Sequence, residues 1–286
     1  MNKEIRKEGG LRTIGLGKKS TSDSIVITII TVVYNNVFSI EETIKSVINQ
    51  SYNNIEYIII DGGSNDGTVE IIKKYADKID YWSSEKDFGL YYAMNRGLEI
   101  ATGDWINYMN SGDCFSENVV IEKIFKDSKT DAGVIYGNVN FNFDGIHHVY
   151  VKANSLNYLW KGMQFVHQAS FVSTKIMKKF PFDTNYKLIA DYKSLYLIYL
   201  SDVKFKYVDM AICDFLAGGL SDNNPKSIIE CQKLIFPIHN NLKVRIYYYY
   251  RYVQCTIRYN LAKIIGQLFY AKLRVFKSNL KNIFLK

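Results

Sequence analysis

The chain has 286 residues, of which 48% are hydrophobic and 22% are charged, a balance that excludes an intrinsically disordered protein. The formal net charge of +8 is concentrated at the C-terminal end, where residues 243–286 contain ten Lys or Arg and no Asp or Glu. Residues 1–242 hold the other 26 basic and 28 acidic side chains and are close to neutral. A strongly basic segment indicates an anionic partner such as a membrane surface or a nucleic acid.

The cysteines and the N-terminal residues bear on the compartment. Cys114, Cys213, Cys231 and Cys255 lack the paired spacing of a zinc site or a disulfide framework, so reduced thiols are expected. Residues 1–20 are polar and lack the apolar centre of a signal peptide. No apolar run reaches the roughly 18 residues of a membrane span. We therefore expect a cytoplasmic protein without a spanning segment.

Strands and helices alternate over the first 125 residues. A flexible lead is predicted at residues 1–23. The predicted strands are 25–33, 55–60, 79–84 and 105–109, and the predicted helices are 39–49, 68–75, 89–101 and 117–126. This order predicts an α/β fold with a mostly parallel central sheet and helices on both faces.

The pattern changes after residue 130. Extended segments at 133–143 and 147–152 predict a hairpin that turns at Asp144-Gly145. A helix at 191–200 and an extended segment at 205–215 follow, and Gly218-Gly219 breaks the latter. The chain is predicted to be helical from about Pro225 onward.

The C-terminal region mixes Tyr, Phe, Leu and Ile with Lys and Arg at roughly helical spacing over residues 243–286. One interpretation is an amphipathic helix that lies on an anionic bilayer. The other is a helix that packs on the preceding domain and exposes a basic face to solvent. Binding of nucleic acid has no supporting motif.

Short polar side chains follow four of the predicted strands. They are Tyr34-Asn35, Asp61, Glu85–Asp87 and Asn110–Asp113. Because the carboxyl ends of parallel strands meet at one edge of a sheet, these groups are predicted to converge on one ligand-binding cleft.

Seven segments in this order resemble the successive signatures of glycosyltransferase family 2 and cover about residues 24–222. They are ITIITVVYNN, IEYIIIDGGSNDGT, SSEKDFGLYYAMNRGLEIATGD, WINYMNSGDCF, FVHQASFVSTKIM, IADYKSLYLIYL and LAGGLS. The resemblance implies a GT-A fold, a nucleotide-activated sugar and inversion at the anomeric carbon. It also implies a nucleotide-sugar-binding half at 24–128, an acceptor half at 129–222 and a helical basic region at 223–286.

The resemblance assigns the nucleoside contacts residue by residue. Tyr34 and Asn35 match the family's first nucleotide-contacting turn, and Asp87 lies in a loop that contacts the nucleoside. Asp61 matches the carboxylate that accepts a hydrogen bond from the base, commonly uracil. Arg96 lies on the helix that faces the nucleotide and would meet phosphate.

The segment Asn110–Asp113 corresponds to the family's Asp-x-Asp region, in which a carboxylate holds a divalent metal on the diphosphate. Asn110 and Gly112 stand where the acids usually are, so Asp113 is the predicted ligand of Mg²⁺ or Mn²⁺. The second acid of the usual Asp-Asp-Gly-Ser motif is also missing and is replaced by Gly62.

Asp191 matches the family's catalytic base, which takes the proton from the attacking acceptor hydroxyl. The residues predicted to shape the sugar and acceptor pocket are Asn110, His167, Gln168 and Gly219. A lone histidine such as His167 also has many structural uses as a hydrogen-bonding residue.

These features predict an inverting hexosyl- or N-acetylhexosaminyltransferase that uses a nucleoside diphosphate sugar, with UDP as the expected nucleotide. By resemblance, the acceptor is a lipid-linked saccharide of bacterial surface polysaccharide synthesis. With the basic C-terminal region, this predicts a peripheral location on the inner face of the cell membrane. The missing acids support an alternative, a non-catalytic nucleotide- or saccharide-binding relative. Neither a nucleotidyltransferase phosphate loop nor a dinucleotide-binding G-x-G-x-x-G follows a strand.

Overall fold

A computed structural model of the chain describes residues 6–18, 25–126, 130–142, 148–216 and 224–265. In these ranges the helices are α1 (Ile40–Ile48), α2 (Thr68–Lys74), α3 (Leu90–Ile100), α4 (Val120–Phe125), α5 (Thr174–Met177), α6 (Ala190–Leu200), α7 (Pro225–Ile235) and α8 (Leu242–Ile265). The strands are β1 (Lys7–Gly9), β2 (Ile27–Val33), β3 (Ile55–Asp61), β4 (Tyr81–Ser84), β5 (Trp105–Tyr108), β6 (Cys114–Phe115), β7 (Val134–Asn142), β8 (His148–Val151), β9 (Ser170–Ser173) and β10 (Phe205–Leu216). Short 3₁₀ helices lie at Leu11–Ile14, Leu156–Lys161 and His167–Ala169.

The described strands form one sheet in the order β1-β4-β3-β2-β5-β9-β7-β10-β6, with β8 paired to β7. The centre β4-β3-β2-β5 and the pair β7/β10 are parallel. Strands β1, β6, β8 and β9 pair antiparallel with their neighbours. All seven residues of β2 and of β3 are buried, as expected of parallel strands that are covered on both faces. The predicted α/β fold with a mostly parallel central sheet is confirmed.

Helices cover both faces because successive side chains of a strand point to opposite sides. On one face, Ile30 and Ile58 pack in a core cluster with residues of α3, α6, α7 and α8. On the other face, Ile29 and Ile59 pack in a second cluster with residues of α1, α2 and α4. The sheet therefore separates two apolar layers.

The prediction of a flexible lead over residues 1–23 is wrong for residues 7–14. Strand β1 pairs antiparallel with β4, and the backbone N–H of Arg12 donates to the carbonyl of Asp80 at 2.8 Å. The Arg12 guanidinium contacts the carboxylate of Glu56, whose side chain is 1% exposed. A buried carboxylate needs such partners, so this ion pair fastens the segment to the sheet.

The predicted hairpin is formed by β7 and β8, which pair antiparallel. Some predicted features lie outside the described residues. They are the lead at 1–5 and 19–23, the turn at Asp144-Gly145, the break at Gly218-Gly219 with the predicted pocket residue Gly219, and the tail at 266–286.

Helices α7 and α8 join the core cluster that contains α3 and α6. In α8, Val244 is 4% exposed and Tyr248 is 1% exposed. The Tyr248 hydroxyl donates to the carbonyl of Trp160 at 2.7 Å. One face of α8 therefore packs on the domain.

Helix α3 approaches β2 closely at Gly97. A Cβ at Gly97 would lie 2.5 Å from Cγ2 of Ile30, so only glycine allows this spacing. The spacing matters for the site because the first turn of α3 lies at the carboxyl end of the central strands, where Leu90 and Ala93 line a pocket with Val32.

We expect Gly97→Ala to lower the free energy of unfolding by about 1–3 kcal/mol, because the added methyl group would push α3 away from β2. Without that contact, alanine would stabilise a helix by roughly 1 kcal/mol relative to glycine, so the sign of the change is informative. Urea unfolding followed by circular dichroism measures it. Gly17→Ala is the control, since no atom lies within 4 Å of a Cβ there. A Gly97→Ala protein as stable as the wild type would contradict the close approach.

Candidate active site

The carboxyl ends of the central strands form one edge. The register pairs Val33 of β2 with Asp61 of β3, and Asp61 with Ser84 of β4. After β5, the N–H of Ser111 donates to the carbonyl of Val32 at 3.2 Å. The polar segments that follow these four strands therefore meet at the same edge of the sheet.

Asp61 is fully buried below this edge, and both of its oxygens accept hydrogen bonds. Oδ2 accepts from the N–H groups of Gly63 at 3.0 Å and Ser64 at 2.9 Å, and from the Ser84 hydroxyl at 2.6 Å. Oδ1 accepts from the Ser64 hydroxyl. Asp61 thus fixes the turn after β3 to the end of β4, and its predicted contact with the base stays a prediction.

A pocket of about 550 Å³ opens above this turn. Its lining includes Tyr34, Gly62, Lys86, Asp87 and Leu90. A Cβ at Gly62 would lie 3.0 Å from Oδ2 of Asp87 and 3.4 Å from Cδ2 of Tyr34. An acidic side chain at position 62 would therefore crowd these two residues and place a second negative charge beside Asp87.

Tyr34 and Asn35 have different environments although they are adjacent. The Tyr34 side chain is 65% exposed at the pocket. Asn35 has φ 46°, a left-handed conformation that asparagine tolerates. Its N–H donates to Oγ of Ser64 at 2.7 Å and its Oδ1 accepts from the N–H of Asn65 at 3.0 Å. Asn35 therefore joins two turns, whereas the ring of Tyr34 is exposed at the pocket and its contact with a nucleotide stays a prediction.

Asp87 and Arg96 also differ in how they meet the pocket. Asp87 is part of the lining, and its Oδ1 accepts from the N–H of Gly89 at 2.8 Å. Burial raises the pKa of Asp87, while the Gly89 N–H and the charge of Arg96 oppose that shift. Arg96 is paired with Glu85 and donates to Oγ of Ser83 at 3.1 Å. Its guanidinium is therefore engaged with protein groups, and its predicted contact with phosphate stays a prediction.

Asp191 is held at the second residue of α6 by donors from two other elements. Its Oδ1 accepts from the Tyr91 hydroxyl of α3 at 2.8 Å, and its Oδ2 lies 2.9 Å from Nδ1 of His167. Nε2 of His167 lies 3.2 Å from Nδ2 of Asn110, which follows β5. The predicted base and two predicted pocket residues thus form one chain of hydrogen bonds.

The environment of Asp191 acts on its pKa in two directions. Burial raises the pKa, but the hydrogen bond and charge of His167, with the Tyr91 hydroxyl, outweigh burial. The net pKa lies below the usual value, so Asp191 is ionised at neutral pH. A side chain that must accept a proton needs this state.

Asp113 is 5% exposed and forms a separate pair of contacts. Its Oδ1 accepts from the N–H of Leu216 at 3.0 Å, and its Oδ2 accepts from Nε2 of Gln168 at 2.7 Å. Burial raises its pKa to about 6, against the lowering effect of these donors and of His167. His167 and Gln168 are adjacent, so one 3₁₀ turn contacts both carboxylates.

The residues around Asp113 include oxygen atoms of the kind that bind a divalent metal. Oδ1 of Asn110 and Oε1 of Gln168 are buried and have no hydrogen-bond partner among the described residues. Among the described residues, no group of three or more His, Cys, Asp or Glu side chains is arranged to hold a metal ion. Magnesium at nucleotide sites commonly uses one or two carboxylates and completes its shell with waters and substrate phosphates. The Asp113 carboxylate and the unpartnered Oδ1 of Asn110 are hard oxygen donors of the kind that such an ion uses, and Asp113 as its ligand stays a prediction.

Sequence reasoning missed two contributors to these contacts. Tyr91 donates to Asp191. It is 6% exposed on the buried face of α3, and in the sequence it cannot be told from an ordinary core residue of an amphipathic helix. The backbone N–H of Leu216 contacts Asp113 from 103 positions away in the chain, and no local pattern reports such a contact.

Comparison with known proteins identifies relatives. The model of the family described as "Glycosyl transferase family 2" matches residues 28–185. An uncharacterized glycosyltransferase of Mycobacterium tuberculosis is 30% identical over 211 residues, which are 71% of this chain and 79% of that protein.

Solved structures share the fold. Staphylococcus aureus TarS 1–349 in complex with UDP matches with a TM-score of 0.58 and 18% identity, over 74% of this chain and 64% of that chain. The mannosyltransferase PcManGT of Pyrobaculum calidifontis, in complex with GDP-Man and Mn²⁺, matches with a TM-score of 0.60 and 15% identity, over 94% and 85%. These likenesses confirm the predicted GT-A fold, and the match over residues 28–185 shows that the chain belongs to glycosyl transferase family 2.

Proposed function

We propose that this protein transfers a hexose or an N-acetylhexosamine from a UDP-sugar to a hydroxyl of a saccharide, with inversion at the anomeric carbon. The observation that carries the proposal is the first turn of α3, which joins the two parts of the site. Leu90 lines the pocket, and the next residue, Tyr91, donates a hydrogen bond to Asp191. The first turn of α3 therefore contacts both the pocket for a nucleotide and an ionised carboxylate.

The pocket suits a nucleoside. Its volume of about 550 Å³ falls within the roughly 300–1,000 Å³ of small-molecule sites. The exposed ring of Tyr34 can stack on a base, and the Asp87 carboxylate can accept hydrogen bonds from the base or the ribose. Because Asp61 is already engaged by protein donors, Asp87 is the more accessible acceptor. The choice of UDP rests on the resemblance at Asp61 and on the UDP-bound structure of TarS.

Asp191 acts as the general base. Tyr91 and His167 hold its two oxygens, and each oxygen keeps a lone pair for the proton of an acceptor hydroxyl. As that proton moves to Asp191, the acceptor oxygen attacks the anomeric carbon from the face opposite the diphosphate. The new glycosidic bond forms as the bond to UDP breaks, which inverts the configuration.

Asp113 and Asn110 would hold Mg²⁺ or Mn²⁺ together with the diphosphate, in line with the Mn²⁺ bound to PcManGT. Such an ion would offset the negative charge that develops on the departing UDP. The residues of this chain position it: the Leu216 N–H and Gln168 fix the orientation of the Asp113 carboxylate.

The acceptor is a lipid-linked saccharide of a bacterial surface polysaccharide, and the protein works at the inner face of the cell membrane. The motif resemblance and the ten basic residues of 243–286 support this part of the proposal. Such lipid-linked acceptors offer a sugar hydroxyl close to an anionic surface, which the basic segment would attract.

We expect Asp191→Asn to lower the transfer rate by about 10²–10⁴-fold, because the amide cannot take the acceptor proton. Binding of UDP should be unchanged, since the pocket lining does not include this side chain. A panel of UDP- and GDP-sugars, screened by thermal shift with and without Mn²⁺, selects the donor. Radiolabelled transfer to saccharide-lipid acceptors and calorimetry with UDP then measure the two quantities.

Asp202→Asn is the matched control, because Asp202 is exposed and its φ of 57° suits asparagine equally well. Retained transfer by Asp191→Asn would remove Asp191 as the base. Donor binding without transfer or hydrolysis in the wild type would instead favour the non-catalytic alternative.

His167 should determine the pH at which Asp191 becomes active. Removing it in His167→Ala takes away a hydrogen bond and a charge that lower the pKa of Asp191. The base must be ionised, so the acidic limb of the kcat/KM profile should move to higher pH, and kcat should fall. His167→Gln, which keeps an N–H donor, should restore part of both effects. A lower rate with an unmoved limb would mean that His167 is only structural.

Asp113→Asn should weaken function and strengthen the fold at neutral pH. The pKa of Asp113 is raised from 3.8 to about 6. Ionised Asp113 therefore costs folding free energy above about pH 6, and this cost is absent below about pH 4. Asparagine keeps an oxygen for the Leu216 N–H, and its amide N–H can donate to Oε1 of Gln168 once the Gln168 amide, which now donates through Nε2, turns by 180°.

For Asp113→Asn we expect a gain of about 1–3 kcal/mol in the free energy of unfolding at pH 7.5, and no gain at pH 4. Mn²⁺-dependent binding of UDP should weaken by about tenfold or more with the loss of the carboxylate. Urea unfolding at both pH values and calorimetry with UDP and Mn²⁺ test the two parts. Unchanged Mn²⁺ dependence would exclude Asp113 as a metal ligand.

A further inference from the structure

Helix α8 carries an apolar stripe on the side opposite its packed face. The stripe consists of Leu242, Ile246, Tyr249, Val253, Ile257 and Ile264, each of which is at least 37% exposed. With 3.6 residues per turn, these six positions fall within a sector of about 80°, in which the exposed Asn260 is the polar exception. The packed residues Val244, Tyr248 and Cys255 lie about half a turn away. Among the described residues, the stripe is therefore a surface separate from the face that packs on the domain.

Basic side chains border the stripe on both sides. Lys243 lies just beyond one edge, and Arg245 and Lys263 lie just beyond the other. No Asp or Glu occurs between residues 243 and 286. When an apolar stripe contacts the acyl chains of a bilayer, long basic side chains beside it can extend so that their charges stay at the lipid headgroups.

We propose that the α8 stripe docks this protein on an anionic lipid bilayer, with the helix lying along the interface. This proposal deepens the peripheral location proposed above. The lipid contact itself is argued from the α8 stripe, and only its purpose, to bring the enzyme to a lipid-linked acceptor, rests on the proposed function. A helix of 24 residues is about 36 Å long, and all six stripe residues can enter the headgroup region together. Among the described helices, none is long and apolar enough to cross a bilayer.

A second copy of the chain fits this surface poorly. Two stripes face to face would bring Lys243, Arg245 and Lys263 of each copy together, and the helix has no acid to pair with them. A nucleic acid would meet the basic borders, but its phosphates would leave the aliphatic centre in water. Anionic lipid satisfies both the apolar centre and the basic borders.

Docking through α8 would also set the height of the catalytic carboxylate. Tyr248 of α8 packs in the same core cluster as Tyr192 of α6, and Tyr192 directly follows Asp191. A helix fixed on the bilayer would hold Asp191 at a constant distance from it. A lipid-linked acceptor needs such an arrangement, since its sugar extends only a short way from the membrane.

Co-sedimentation of the full chain with phosphatidylcholine vesicles, with and without phosphatidylglycerol, tests the proposal. The wild type should bind the phosphatidylglycerol vesicles, and binding should weaken with added salt. Ile246→Ser combined with Ile257→Ser should weaken partitioning by about tenfold or more. These two residues are 59% and 54% exposed, so the fold should tolerate the change, and thermal unfolding checks this.

Ile14→Ser combined with Leu16→Ser is the matched control, because these residues are 71% and 56% exposed at the opposite end of the described chain. The control should bind vesicles as the wild type does. Equal binding by the stripe variant, or no binding by the wild type, would overturn the proposal. So would a wild-type dimer that the stripe variant converts to a monomer. Lipid binding is read without sugar transfer, so a failed transferase assay would leave this result independent.

Discussion

The site depends on the buried carboxylate of Asp61. A buried polar group needs hydrogen-bond partners, and here the donors come from the turn after β3 and from the end of β4. The contacts of this one side chain therefore fix two strand ends and the glycine turn between them. Gly62 then sits in the space between Tyr34 and Asp87, and the pocket exists because that turn cannot relax. Asp61 can therefore support ligand binding by holding the turn that lines the pocket, without contacting the ligand itself. Its buried position is compatible with this structural role and with the predicted contact to the base.

Three carboxylates along this edge have been given three different environments. Asp61 is saturated by neutral donors, Asp191 gains a net lowering of its pKa from His167 and Tyr91, and burial raises the pKa of Asp113 to about 6. The environment of an aspartate sets its chemical behaviour. Residues of one type can therefore take different roles, here a structural contact and the proposed roles of general base and metal ligand. The raised pKa of Asp113 indicates a charge that the fold alone leaves undercompensated. A cation would compensate the negative charge of Asp113. It would also give a partner to Oδ1 of Asn110, which has no hydrogen-bond partner among the described residues.

The central fold was predictable because buried parallel strands are almost uninterrupted apolar runs, as in Ile27–Val33 and Ile55–Asp61. The strand ends followed from that prediction, which is why Tyr34 and Asp87 could be placed at one edge, whereas Asp191 was named from the motif it resembles. Strand β1 could not, since Lys7–Gly9 has no apolar pattern and is held by backbone pairing and by Arg12 on Glu56, 44 positions away. Arg96 was predicted to meet phosphate from its motif, but the motif does not record that Glu85 lies beside it.

The C-terminal region shows why two sequence interpretations can be complementary. Packing on the domain and contact with a membrane looked like alternatives because composition describes a helix as a whole. The structure assigns residues to faces: Val244 and Tyr248 are buried, whereas Ile246 and Ile257 remain exposed. A helix that only covered the core would gain nothing from apolar residues on its outer side, where polar ones are equally stable and more soluble. In the proposed membrane contact the packed face also has a role, because a rigid attachment of α8 to the domain would let that contact position Asp191.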